Sequence, residues 1–521
     1  MDRKRVDKQA FQSTDTDTNT PNIDEGNLWG CYNMFEYYKQ RGVLLTVPGV
    51  SAATEAISLS AVASTFVLAG CDFADVTKCV IACKMASGND QLAYFNSSTL
   101  SGTNAVTAIS GGTAPTVNGG PWEILAWNGT VYYANGTNPI GKTTNGTTKS
   151  DVTGTNAPPA GKHIKVYNNR LFVADYPTDG TYTADKSKAW YSNILTTDFA
   201  STNYIQVGES GDGDQITGFG VLTTGQGEFV STVLCIFKKR SVWLLSGDPI
   251  GSDTILDRIH TRVGTDMPQT IQPIPQGLMY TGTDGRVYII TKDYSVTEAS
   301  INTNTITTGI THTGTGAGHA QSNEGHYKLF GLASNNEAWF SYDATQNYRW
   351  TGPHNRGGFS SSFQLLDATL LLGGTTKVWY ENYSSFTDNT ATTMLRVIGG
   401  IFKDPWGIEK VGDLIAIKLQ TNAATLSTTF KSGDAVDGPY NGSGGYSGTV
   451  IGTPAVNTTK TFTFERANVP EFIFWDLASH RGKEIVWQVS ASPTIALRFF
   501  GVEVEFLMPK QGETAVRDVP T

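Results

Sequence analysis

Asp212 and Asp214, set among glycines in the run GESGDGDQ, come nearest in this chain to a cation site. Hard cations such as calcium take six to eight oxygen ligands, and an EF-hand loop supplies them in fixed register with a distal Glu. That register is missing, so the run reads either as a solvated turn or as a loose calcium site at Asp212/Asp214. His312 and His319 stand seven apart in THTGTGAGH, a spacing that matches no zinc motif. SGGTAPTVNGG (110–120) is glycine-rich but lacks the Lys-Ser/Thr and the strand-to-helix setting of a phosphate loop. No G-x-S-x-G elbow comes with an acid and a histidine. Cys79 and Cys83, four apart in KCVIACK, would have Cα atoms about 13 Å apart on a strand, too far to bridge. They and Cys31, Cys71 and Cys235 read as thiols without a disulfide framework. Lys238-Lys239-Arg240 is the densest basic cluster beyond the N-terminus and reads as a solvated hairpin tip, with DNA contact as the alternative. The residues therefore point to no enzyme, no cofactor and no metal. Paired carboxylates for glycoside hydrolysis stay open, because that pairing is spatial.

The elements that must position these side chains are strands. The 521 residues carry only 16% charged residues, and their polarity comes from Thr, Ser, Asn and 56 glycines, with 11% aromatics. β-Branched and aromatic residues suit pleated surfaces, and Gly and Asn supply positive φ in turns. No long amphipathic helix is legible, and the most apolar window, AISLSAVASTFVLAG (56–70), is too short to span a membrane and reads as core strands. From about residue 29 one pattern recurs: an apolar strand, a short turn and an aromatic strand. Turn centres fall near residues 89, 128, 169, 239, 284, 335 and 374, several of them Asn-Gly or Asp-Gly. All but one of the steps are 39–51 residues, near the 40–50 residue span of a four-stranded propeller blade. The 70-residue step from 169 to 239 would be a blade with an insertion or a blade whose hairpin is hidden.

The expected fold is all-β: a six- to seven-bladed β-propeller over 29–392, followed by a C-terminal β-sandwich-like domain over 393–508. Residues 1–28 read as a flexible, polar N-terminal arm and 509–521 as a polar tail. In the C-terminal part Ile415, Ile417 and Leu419 alternate, as do Phe462 and Phe464, then Ile485, Trp487 and Val489, then Val502, Val504 and Phe506. GPYNGSGGYSG (438–448) reads as a surface loop. The balance of 38 basic and 47 acidic residues gives a net charge of −9, a poor composition for gripping phosphates and a suitable one for a surface past which DNA slides.

The stretch CYNMFEYYKQRGVLLTVPGV (31–50) carries a resemblance. Its Asn33-Met34 step, aromatic spacer, Arg41-Gly42, apolar strand and Pro48-Gly49-Val50 turn resemble the opening of tail hub, or tail nozzle, proteins of short-tailed bacteriophages, also called packaged-DNA stabilisation proteins. ITGFGVLTTGQGEFVSTVLCIFKKRSVWLLSGD (216–248) is similar to that family's central stretch. HRGKEIVWQVSASPTIALRFFGVEVEF (480–506), ending on Gly501, Glu505 and Phe506, is similar to its closing segment. The resemblance implies a virion protein assembled in the host cytoplasm into a homo-oligomeric ring, a hexamer, at the end of the tail. Its partners would be an adaptor or portal-proximal tail protein, a tail fibre or tailspike, a needle or plug, and double-stranded DNA passing without sequence recognition. It also implies that the Pro48-Gly49 turn starts the first blade. A receptor- or glycan-binding propeller, and then a propeller glycosidase, are the alternatives.

Overall fold

A computed structural model describes residues 2–8, 28–36, 43–178, 182–225, 231–260, 262–300, 318–332, 336–342, 349–384, 387–388, 391–392, 395–399, 410–421, 425–433, 456–463, 470–482, 486–491 and 497–508. The chain divides into two compact units. One comprises Met1–Pro48, Arg349–His354 and Ser384–Thr521, and the other Gly49–Tyr348 and Asn355–Tyr383.

The second unit is a succession of antiparallel sheets whose strands follow sequence order. The first sheet holds Ser58–Leu59, Val62–Phe73, Lys78–Met85, Gln91–Asn96 and Thr107–Ala108. The second holds Glu123–Trp127, Thr130–Ala134, Gly141–Thr143 and Ser150–Asp151. His163–Tyr167, Arg170–Ala174, Lys188–Tyr191 and Tyr204–Gln206 form the third. Ile216–Thr224, Ser231–Lys238, Val242–Ser246 and Ile255–His260 form the fourth. The fifth is Gln272–Ile274, Gly277–Thr281, Val287–Thr291 and Val296–Glu298. This unit gives the sixth sheet His319–Asn323, His326–Phe330 and Glu337–Ser341. It gives the seventh Ser361–Gln364, Leu370–Gly373 and Val378–Asn382.

In each sheet one strand faces the common axis: Val62–Phe73 in the first and the opening strand in the others. These strands contact one another in cyclic order, from Val62–Phe73 round to Ser361–Gln364 and back. A closed ring of radial antiparallel sheets is a β-propeller, and closure protects sheet edges that would otherwise pair with other chains. Between sheets the packing is apolar. Leu68, Val80, Trp122 and Val131 join the first and second. Ile164, Leu171 and Trp190 meet Tyr132 and Ile140 between the second and third. Phe363, Leu371 and Val378 of the last sheet meet Val67, Cys79 and Phe95 of the first. Each such large side chain contributes roughly 1.5–3 kcal/mol on burial.

The tight turns behave as their residues demand. Asn128 and Gly129 have φ of 49° and 65°, and Asn168 and Asn169 have 47° and 55°, as a type I′ hairpin requires. These two turns join the first and second strands of their sheets, whereas the turns near 239, 284 and 374 join the second and third. The 70-residue step is therefore neither an insertion nor a hidden blade. It runs from the first hairpin of one sheet to the second hairpin of the next. Pro48-Gly49 also differs from expectation, since it opens no first blade. Gly49–Ala52 pairs antiparallel with Val378–Asn382 and completes the seventh sheet, so strands far apart in sequence close the ring.

The first unit contains two antiparallel sheets. In one, Leu497–Met508 pairs along one edge with Lys410–Thr421, which in turn pairs with Glu471–Gly482. Along its other edge lie Leu44–Thr46 and Asp2–Lys8, and Met34–Glu36 pairs with Leu44–Thr46. The other sheet runs Leu28–Tyr32, Leu395–Gly399, Val486–Ala491, Thr425–Gly433 and Val456–Thr463, with Arg349–His354 beside Leu28–Tyr32. The units thus divide the chain differently from the 29–392 and 393–508 segments, because both chain ends build one unit. Asp2–Lys8, expected within a flexible arm, is a strand whose register sets Arg5 opposite Glu505. Phe464, Ile485 and the 438–448 loop lie outside the described residues.

Candidate functional site: the axial cavity of the propeller

The axis of the propeller is hollow. A throat of about 190 Å³ is lined from several directions by Gly70, Glu123, Lys165, Phe219, Gln272 and Ser362, each on an axis-facing strand. Gly70 is required there, because a Cβ at that position would lie 2.5 Å from the Phe363 ring. Trp122, Pro268 and Gln269 are shared between the throat and a mouth of about 340 Å³ that also presents Lys162, His163, Asp175 and Lys239. At the other end Gly70 and Ser362 are shared with a wider mouth of about 650 Å³, flanked by Asp72, Asp75, Trp127 and Leu366.

Hydrogen bonds between sheets fix the wall. Glu123 of the second sheet holds His163 Nδ1 at 2.7 Å and accepts the Ile164 N–H at 2.7 Å, stapling the third sheet beside it. Trp122 is buried, and its indole N–H donates to Asp90 at 2.9 Å. Burial pushes the Asp90 carboxyl upward, against hydrogen bonds that include one from the Gly119 N–H. Burial also acts to raise Asp175, but the ammonium groups of Lys162 at 2.9 Å and Lys186 at 3.0 Å bring its carboxyl below the ordinary range.

A second cluster joins the sixth and seventh sheets, with its arginine on the segment just before Ser361–Gln364. The Arg356 guanidinium reaches Glu337 Oε2 at 2.7 Å and Glu381 Oε1 at 2.7 Å, and Lys328 Nζ reaches Glu381 Oε2 at 2.6 Å. All four side chains are buried. Both cations also lie over the Trp339 ring, 4.2 Å away for Lys328 and 4.8 Å for Arg356. Two cations and two carboxylates balance, which is what burial of charge requires. Burial is opposed by the two cations at Glu381, whose carboxyl is held low. The cluster is a clasp between neighbouring sheets.

The residues singled out in the sequence fall elsewhere. Asp212 Oδ2 accepts Lys238 Nζ at 2.8 Å, and Asp212 Oδ1 accepts the Asp214 N–H at 2.8 Å. Asp214 accepts the Arg240 N–H and the Ser241 hydroxyl, both at 2.7 Å. These carboxylates therefore anchor the 238–241 hairpin to the preceding loop, and protein donors occupy oxygens that a calcium ion would need. Lys238, expected at a solvated tip, is buried and also donates to Ser187 and to the Val207 carbonyl. Cys79, Cys83 and Cys235 are buried; burial pushes the Cys83 thiol up to about 12. His319 lies on a strand of the sixth sheet, and His312 is outside the described residues.

Asn33 sits in the left-handed region at φ 56° and is buried next to Met34, its carbonyl accepting the Val47 N–H at 3.0 Å. Pro48 is buried and ends the Met1–Pro48 segment of the first unit, and Gly49 begins the ring-closing strand. Gly501, Glu505 and Phe506 lie on Leu497–Met508, and Gly42 is outside the described residues. Neither the axial throat nor the Arg356 clasp was singled out in the sequence. The throat's members are scattered over nearly 300 residues and the clasp's over about 50, and no local spacing marks either.

No protein family's sequence profile matches the chain, and no curated protein matches it. Among solved structures it is similar to the computationally designed Ika8 protein, with 11% identity, a TM-score of 0.36, and coverage of 63% of this chain and 99% of that one. The WD40 β-propeller domain of Doa1 matches with 8% identity and a TM-score of 0.37, over 64% of this chain and 96% of that one. The C-terminal WD40 domain of Sif2 matches with 10% identity and a TM-score of 0.34, over 72% and 95%. At these scores the neighbours carry no functional argument, and the propeller assignment rests on the sheets of this chain.

Proposed function

We propose that the chain is an architectural subunit of a bacteriophage virion, a tail hub or nozzle protein that assembles into a hexameric ring. The ring would continue the DNA channel below an adaptor, help retain the packaged genome and carry fibres or spikes. The observation that carries this reading is the meeting of two segments of the resemblance. Leu44–Thr46 from the opening stretch pairs with Leu497–Met508 from the closing one, and Thr46 Oγ1 both donates to the Leu497 carbonyl and accepts its N–H. Pro48-Gly49 then leads directly into the strand that closes the propeller. Segments that are similar to one family at both chain ends thus share a single structural task.

The finer fold in this reading is a propeller of seven blades, supported by the cyclic contacts of the axis-facing strands, and the other unit built as a sandwich-like pair of sheets. In this reading the DNA lumen would lie between copies of the chain. A rounded throat of the axial cavity's size is ~10 Å from wall to wall, less than one ~12 Å major groove, so in this reading a duplex does not pass along the propeller axis. A net charge of −9 suits a wall that DNA leaves without the salt-sensitive grip of a basic lumen. Copurification with a portal-adaptor ring, followed by imaging of the complex, tests the assignment. Binding of the monomer to a polysaccharide, with no affinity for tail components, would instead establish the glycan-binding alternative.

A further inference from the structure

Three polar side chains meet in the axial throat without partners. Among the described residues, Lys165 Nζ has no hydrogen-bond or ion-pair partner, although Glu123 lies close enough to act on its charge. The Ser362 hydroxyl is buried and makes no hydrogen bond. Gln272 lines the same cavity and its amide also bonds to nothing described. A buried hydroxyl or ammonium left unpaired costs stability, so such groups in native proteins mark a missing partner. Glu123 cannot be that partner in full, because both its oxygens already serve His163 and the Ile164 N–H.

Lys165, Gln272 and Ser362 come from the third, fifth and seventh sheets and so approach the axis from three separated directions. A planar carboxylate offers acceptors in one plane, whereas a tetrahedral oxyanion offers them on all sides. The volume of about 190 Å³ exceeds the roughly 30 Å³ share of one water several-fold. The adjoining mouth adds Lys162 and Lys239, and Asp175 there is already shared by two lysines.

We propose that the axial throat binds a phosphate group, held by the Lys165 ammonium with Ser362 and Gln272 as further donors. The Lys165 amine is consistent with this: burial holds its pKa below the usual range and Glu123 only partly offsets it, a balance that an adjacent anion restores. The phosphate could be free or the end of a monoester whose remainder occupies the neighbouring mouth, which meets the throat at Trp122, Pro268 and Gln269.

The test uses the full chain dialysed free of phosphate and titrated calorimetrically with inorganic phosphate, then with adenosine monophosphate, against potassium chloride at matched ionic strength. A Kd of ~1 mM or tighter is expected for at least one ligand, with a rise of ~2–3 °C in the melting temperature at about ten times Kd. Tighter binding of the monophosphate than of phosphate assigns the mouth to the substituent; the reverse order assigns the site to the free ion. Lys165→Met should weaken binding at least ~10-fold while melting no lower than the parent in phosphate-free buffer, because it removes an unpaired charge. Ser362→Ala, a smaller change, should weaken binding severalfold with the fold intact. Absence of binding by the parent chain, an equal response to chloride, or unchanged affinity in both variants would overturn the proposal.

Discussion

Replacing Arg356 by Met removes a guanidinium that contacts both carboxylates of the clasp. The guanidinium makes contacts of 3.2, 3.1 and 2.7 Å to Glu337 and one of 2.7 Å to Glu381. Without it Glu337 keeps the Trp339 indole N–H at 3.1 Å, and Glu381 keeps Lys328. Two buried carboxylates then face one ammonium, and breaking a buried pair in this way costs about 3–5 kcal/mol. At ~2 °C per kcal/mol for a large domain, the melting temperature should fall by about 8 °C. The companion is the double change Arg356→Met with Glu337→Leu, which leaves a neutral Lys328–Glu381 pair. It should be less destabilised than Arg356→Met alone, giving a coupling of roughly 1–3 kcal/mol. Urea and calorimetric unfolding of the four proteins measure both quantities. A single variant within 1 kcal/mol of the parent, or a double variant whose loss equals the sum of the singles, would refute the clasp.

Other substitutions examine separate parts of the account. Thr46→Val keeps the side chain's shape but loses both bonds to Leu497, and should cost about 1–2 kcal/mol in urea unfolding. Asp175 has a depressed folded pKa, so its contribution is present above the unfolded value of about 3.9 and is lost as pH falls through the lower folded value. Asp175→Asn should therefore flatten the acid limb of the stability curve and leave an otherwise uniform deficit at neutral pH; an unchanged acid limb would contradict the Lys162–Asp175–Lys186 arrangement. Asp212→Asn should destabilise by about 1–3 kcal/mol by weakening the anchor of buried Lys238. Millimolar calcium should leave the parent's melting temperature unchanged, and a calcium-dependent rise lost in that variant would return Asp212 to a cation site.

The strands of the propeller were legible because their signals are local. Asn128-Gly129 and Asn168-Asn169 need positive φ at both positions, and the structure supplies it. The order of hairpins within each sheet was not legible, since a turn residue reports its own conformation and not which strands it joins. That is why the step from 169 to 239 misled. The role of Gly49 was hidden for a similar reason: its partner strand, Val378–Asn382, lies more than 300 residues away. Lys238-Lys239-Arg240 looked like a solvated tip because the sequence shows charge but not the carboxylate of Asp212 that draws Lys238 inward. Arg356, Glu337, Lys328 and Glu381 gave no sign at all, being assembled only by closure of neighbouring sheets.

The central claim is that the chain builds a ring around a lumen wide enough for duplex DNA. Cryo-electron microscopy of the purified protein, alone and mixed with a portal-adaptor complex, measures this directly. Six copies of 56.1 kDa, about 340 kDa, should close into a six-fold ring whose lumen lies between copies and carries few lysines and arginines. A monomer that makes no ring in either preparation, or a ring with a narrow or chiefly basic lumen, would contradict it.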